Sequence, residues 1–190
     1  MIYLSILIPT LKSRAAMYQR TAQHLNAQIK SLENPEEVEV LAYIDNREKT
    51  TGYKRNILLE RAKGQFVVFV DDDDKLANNY VKLIVDIIKN NPELDCVGIR
   101  GQYSEDGKKP EPFETSLSHN WEKRAGWYYR TINHISPIKR EHALAVKFPD
   151  KTIGEDYEYT MALKKTGLLK NEVVIKTPIY FYNFISNKKY

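Results

Sequence analysis

Apolar positions in the first hundred residues fall into short runs, separated by stretches with helical spacing. Residues 2–8 form an apolar run with β-branched side chains, stopped by Pro9. A run this short suits a strand covered on both faces. Residues 17–31 read as a helix ended by Asn34-Pro35, and residues 38–44 as a second apolar strand. Residues 53–62 predict a helix, with Gly64 as its C-terminal stop. The most apolar strand, FVVFV at 66–70, runs straight into Asp71. Tyr80, Leu83, Ile84, Ile87 and Ile88 then recur at helical spacing, Asn91-Pro92 closes that helix, and residues 95–100 make a fourth strand. The alternation predicts one α/β domain, a mostly parallel sheet flanked by helices.

The second half is less regular. Residues 101–124 contain SEDGKKPEP and read as a turn-rich, charged insertion. Residues 127–137 resume an apolar pattern broken by Asn133 and His134. A helix is expected from about Lys139 and another over 155–165, stopped by Gly167. Residues 173–175 and 179–184 predict two closing strands before the polar tail SNKKY.

Composition narrows the class. A chain of 190 residues with 42% hydrophobic content builds one sizeable core and not two. The net charge of +4 suits an anionic ligand such as a nucleotide diphosphate, and does not by itself argue for nucleic-acid binding. A single cysteine, Cys96, excludes an internal disulfide and a cysteine-based zinc cluster, so a cytoplasmic protein is expected. No apolar run reaches the ~20 residues of a bilayer span.

Asp71, Asp72, Asp73 and Asp74 follow the FVVFV strand directly. Adjacent carboxylates repel one another, increasingly so as they leave water, and a cation relieves that repulsion. In open α/β sheets ligands bind beyond the carboxyl ends of the strands, where this cluster falls. Oxygen ligands suit Mg²⁺ or Mn²⁺, which keep bridging contacts to substrate phosphates. The cluster therefore reads as a metal-diphosphate site; the alternative is a solvated turn in which Asp74 or Asn78 caps the next helix. Glu155 and Asp156 stand behind Gly154 at a predicted helix start. They read either as a capping pair or as a source of a general base for transfer to a hydroxyl. Asp156 is the expected base, with Glu155 orienting the acceptor or stabilising the loop.

The order SILIPT, a strand ending in Asp45, YKRN-x5-AKG, FVVFVDDDD and IKRE…GEDYEY resembles the GT-A glycosyltransferases of family 2 over about residues 5–187. The block KRNILLERAKGQFVVFVDDDD is the most specific part, and PIYFYNFISN is similar to the family's closing strand. The resemblance implies a single α/β domain of GT-A (Rossmann-like) fold, a nucleotide-sugar donor (a UDP-sugar being commonest) and an inverting single displacement. It implies that Pro9 and Thr10 border the nucleobase, that Asp45 accepts a hydrogen bond from it, and that Lys54 or Arg55 lies near the base or the diphosphate. Asp71 to Asp73 match the DxD-type motif, with Asp72 near the ribose and Asp73, with Asp71, on the metal. Asp156 matches the catalytic base. Residues 1–100 would be the nucleotide-binding half and 101–190 the acceptor-binding half. The second strand continues as Asp45-Asn46-Arg47-Glu48, where the family usually has Asp-Asp-Gly-Ser. The chain carries no Gln-x-x-Arg-Trp segment of the processive synthases, so transfer of a single sugar is expected.

His134 reads first as a structural histidine and otherwise as a contact to acceptor or phosphate. Trp121, Trp127, Tyr128 and Tyr129 suit stacking on a sugar or base, or simply core. Lys139-Arg140 reads as a phosphate contact or a solvated helix start. The 101–124 insertion, or the tail after Thr177, is a candidate lid. The acceptor is read only as a hydroxyl on a glycan, a lipid-linked sugar, a protein side chain or a nucleic-acid base. Nucleotidyl transfer, which also uses aspartates and Mg²⁺, and a catalytically inactive nucleotide-sugar-binding module are the rival readings.

Overall fold

The structure is a computed structural model that describes residues 1–184. Strand β1 (Leu4–Leu11) lies between β2 (Val38–Asp45) and β3 (Phe66–Phe69), parallel to both. The short β9 (Ile138–Lys139) pairs antiparallel with β3 and touches β5 (Cys96–Glu105). The sheet continues through β6 (Glu111–Thr115) and β8 (Trp127–Arg130) to β7 (Glu122–Arg124). The other edge of β5 carries β10 (Glu172–Phe184), in parallel, and β10 in turn holds the two-residue β4 (Lys75–Leu76). Strands β1, β2 and β3 are thus parallel as predicted, and antiparallel pairing enters with β9, β6, β7 and β4.

Helices cover both faces. Successive β1 side chains alternate between the faces, so Ile6 and Ile8 join one core while Leu7 joins the other. The first core packs against α1 (Ala15–Lys30) and α3 (Tyr80–Asn90), the second against α2 (Thr51–Arg61), α4 (Arg140–Ala143) and α5 (Glu155–Thr166). Ile6, Leu7 and Ile8 have no exposed surface, and burial of such side chains stabilises by ~1.5–3 kcal/mol each. That anchoring holds the end of β1, and the loop after it, in place.

Several expectations change. Gly64 does not stop α2, whose C-cap is Ala62. A Cβ at Gly64 would lie 2.6 Å from the Ser5 backbone nitrogen, so the glycine permits a close approach to β1. Neither Asp74 nor Asn78 caps α3: the N-cap is Asn79 and makes no side-chain capping bond. Residues 101–124 are mostly sheet, because β5 runs on to Glu105 and β6 and β7 follow. The two closing strands are one, β10, with irregular pairing between Val174 and Pro178. As a strand paired to β5 and β4, with Ile179 and Tyr180 buried, it is a wall and not a lid. The polar tail and the end of PIYFYNFISN lie outside the described residues. Among the described residues no helix is long and apolar enough to cross a membrane.

Candidate active site

A cavity of about 470 Å³ opens at the carboxyl end of β3. Asp71 lines it from one side and Glu155 and Asp156 from another, with His134 and Arg55 also in its wall. Gly154, at φ 75°, sits in the left-handed region and turns the chain into α5, so that the acidic pair begins the helix. Gly167, at φ 65°, ends it as predicted.

The aspartate run is a turn in which the Asp74 N–H donates to the Asp71 carbonyl at 3.2 Å. Each carboxylate has a partner, and Arg14 serves two of them. Arg14 reaches Asp72 at 2.5 Å and Asp73 at 2.8 Å. The Thr10 hydroxyl donates to Asp72, and Thr21 donates to the Asp72 carbonyl at 3.0 Å. Arg55 lies 3.2 Å from Asp71 and 3.0 Å from Glu155. The Tyr180 hydroxyl donates to Asp74 at 2.6 Å. The repulsion that called for a cation is therefore relieved in large part by the chain's own arginines.

These partners set the protonation states. Burial opposes charge on Asp71, but Arg55, with His134 and Arg14, outweighs it and holds the carboxyl below its ordinary value. Burial, reinforced by the Asp71 charge, pushes Asp74 well above it, favouring the neutral acid. Burial also raises Glu155, against the pull of Arg55. His134 stands 4.0 Å from both Asp71 and Asp156, yet burial and the Arg55 guanidinium push its imidazole down to about 4, so it is neutral at pH 7.

The residues expected around the nucleobase form a second group. Pro9 and Thr10 sit in β1, Thr10 buried. Lys54 donates to the Thr10 carbonyl at 3.1 Å and to Asp45 at 2.9 Å. Asp45 also accepts from the backbone N–H groups of Arg47 at 3.3 Å and Lys49 at 2.9 Å. Burial raises Asp45, but these donors outweigh it and keep the carboxyl low. Asp45, Lys54, Thr10, Asp72, Arg14 and Asp73 form one polar chain. Asp45 itself faces a separate depression with Tyr43, Glu48, Lys49 and Arg61.

Among the described residues, no three His, Cys, Asp or Glu side chains gather into a group able to hold a metal ion. Asp71 and Asp73, with side chains 30% and 14% exposed, are the members of the run a cation would reach. Mg²⁺ needs only one or two carboxylates when a diphosphate supplies further oxygens, so this donor set fits such an ion.

Tyr128 and Trp121 line the cavity, and so does Arg130, whereas Trp127 and Tyr129 point elsewhere, against Arg100 and His119. Lys139 and Arg140 start α4, with Lys139 paired to Glu141 at 3.1 Å, away from the cavity. Sequence reasoning did not single out Arg14, Tyr180 or Arg130. Arg14 carried a usable signal, since it follows the end of β1, where α/β sheets bind ligands.

The mixed α/β sheet carries an acidic cavity at the carboxyl end of β3, where open α/β folds bind ligands. The glycosyl transferase family 2 profile matches residues 19–153, and the chain belongs to that family. No curated protein sequence matches it. S. aureus TarS 1-349 in complex with UDP-GlcNAc has a similar fold (TM-score 0.61, 17% identity, covering 98% of this chain and 60% of that one). A second TarS crystal structure gives 0.59 at 18% identity, covering 96% of this chain and 37% of that one. A Bacillus anthracis protein described as a glucose-1-phosphate thymidylyltransferase, in complex with a sucrose, gives 0.51 at 9% identity, covering 91% and 87%. The chain thus spans about 60% of the TarS 1-349 structure. These likenesses establish the GT-A fold.

Proposed function

We propose that this glycosyltransferase moves one sugar, a hexose-type unit, from a UDP-sugar to an acceptor hydroxyl with inversion, in a metal-dependent reaction in the cytoplasm. The observation that carries the reading is the single cavity in which Asp71 and Asp156 face each other across neutral His134. The site carries the reading because the fold alone hosts several chemistries.

Residues 1–100 bind the donor. Pro9, Thr10, Asp45 and Lys54 lie on the nucleobase side and Asp72 near the ribose. Asp73 and Asp71, as the DxD-type motif, would hold Mg²⁺ or Mn²⁺, which supplies Lewis-acid stabilisation of the departing diphosphate. Arg55 keeps Asp71 ionised and ties it to Glu155. Residues 101–184 shape the acceptor side. Asp156, at the start of α5 and 34% exposed, takes the proton from the acceptor hydroxyl as it attacks the face of the sugar opposite the diphosphate. Glu155 positions that loop.

The test is product identity. Incubation with nucleotide sugars, acceptors and Mn²⁺ should release a nucleoside diphosphate. Pyrophosphate release from a nucleoside triphosphate would instead support nucleotidyl transfer, and stabilisation by nucleotide sugars without turnover would support a binding module.

A further inference from the structure

Arg130 ends β8 and lines the same cavity as Asp156. Strand alternation sends Tyr128 and Arg130 to the cavity side. The guanidinium carbon lies 4.6 Å from the Trp121 ring centre and 5.2 Å from that of Tyr128. Only Nη1 is engaged by hydrogen bonds among the described residues: it donates to the carbonyls of Glu122 at 3.0 Å and Tyr129 at 2.8 Å. No carboxylate pairs with this arginine among the described residues, whereas Arg55, in the same wall, is held between Asp71 and Glu155.

Aromatic rings attract a cation but do not neutralise it. Burial disfavours the charged guanidinium, and Arg130 is depressed below its ordinary value accordingly. An anion with a bidentate face would satisfy the remaining fork of N–H groups. The cavity wall carries Asp71, Glu155 and Asp156 as well as Arg130, which is framed by aromatic rings.

We propose that Arg130 is an anion subsite for the acceptor, so that the sugar receiving the glycosyl group carries a phosphate or carboxylate. The guanidinium holds that group while Asp156 meets the hydroxyl. The proposal rests on the glycosyltransferase reading and narrows its acceptor to an anionic class.

Tryptophan fluorescence tests it, because Trp121 touches the guanidinium. The full chain, with saturating UDP and Mn²⁺ to fill the donor side, is titrated with glucose 6-phosphate, glucuronate and glucose. At least one anionic ligand should bind about tenfold or more tightly than glucose, and the two anionic arms distinguish phosphate from carboxylate. Arg130→Gln should erase the preference, and Arg130→Lys should restore part of it. Equal binding of glucose, or a preference unchanged in Arg130→Gln, overturns the proposal. The wild-type titration decides the matter alone if the glutamine variant does not fold. Nucleotide-sugar turnover without any anion preference would overturn this subsite only. Failure to turn over any nucleotide sugar would overturn the parent reading.

Discussion

Two acidic segments reach the cavity, the run Asp71–Asp74 through Asp71 and Asp74, and the pair Glu155–Asp156, and both combine buried with more exposed carboxylates. In the first, Asp72 and Asp74 turn inward, 1% and 3% exposed, to Arg14, Thr10 and Tyr180, while Asp71 and Asp73 keep an outward edge. In the second, Glu155 is buried against Arg55, and its neighbour Asp156 remains open to the cavity. In each, the most buried carboxylates are fixed by side chains from elsewhere in the fold; Asp71 and Asp73 pair with Arg55 and Arg14 as well, but they and Asp156 keep more exposed surface. A run of aspartates is therefore not a uniform metal cluster. Its inward members fix the turn that presents the others.

This division predicts that stability and activity separate by residue. The largest stability effect is expected at Arg55, which serves both segments. Arg55→Met leaves Asp71 and Glu155 without their shared cation and should cost ~3–5 kcal/mol in urea unfolding. A smaller contrast separates neighbours. Asp72→Ala removes a buried acceptor of Arg14 and Thr10 and should cost about 2 kcal/mol. Asp73→Ala, at a more exposed carboxylate, should cost less than Asp72→Ala yet weaken Mn²⁺-dependent nucleotide-sugar binding in calorimetry. Equal stability loss in the two variants, with metal affinity unchanged, would break the comparison.

The subtlest effect lies in pH. Folding depresses His134 from its ordinary 6.5 to about 4. Between those values the unfolded chain binds a proton that the folded imidazole refuses, so this residue's contribution is present above 6.5 and is lost as pH falls toward 4. His134→Gln should therefore lose less stability than the wild type on acidification through that window. Parallel profiles in chemical denaturation at stepped pH would contradict the burial of His134 as a neutral group.

Much of this was legible in the sequence, for local reasons. FVVFV, the helical spacing from Tyr80, and Gly154 and Gly167 around α5 declare themselves within one window. What stayed hidden depends on contacts far apart in the chain. Arg14 meets Asp72, and Tyr180 meets Asp74, only after the sheet has formed. Gly64 looks like a helix stop in isolation, yet answers to the backbone of β1. SEDGKKPEP reads as an insertion because its charge and turn residues run over the turn and into the ends of β5 and β6, masking the paired strands on either side. The acidic pair was found, but its split into a buried Glu155 and an open Asp156 required Arg55 to be in place.

Asp156→Asn, assayed for nucleoside diphosphate release alongside its thermal midpoint, tests the central claim most directly. The account predicts turnover reduced by about 10²–10⁴-fold, with the midpoint and nucleotide affinity near wild type. Wild-type turnover in this variant, or a loss of activity that simply tracks unfolding, would contradict it.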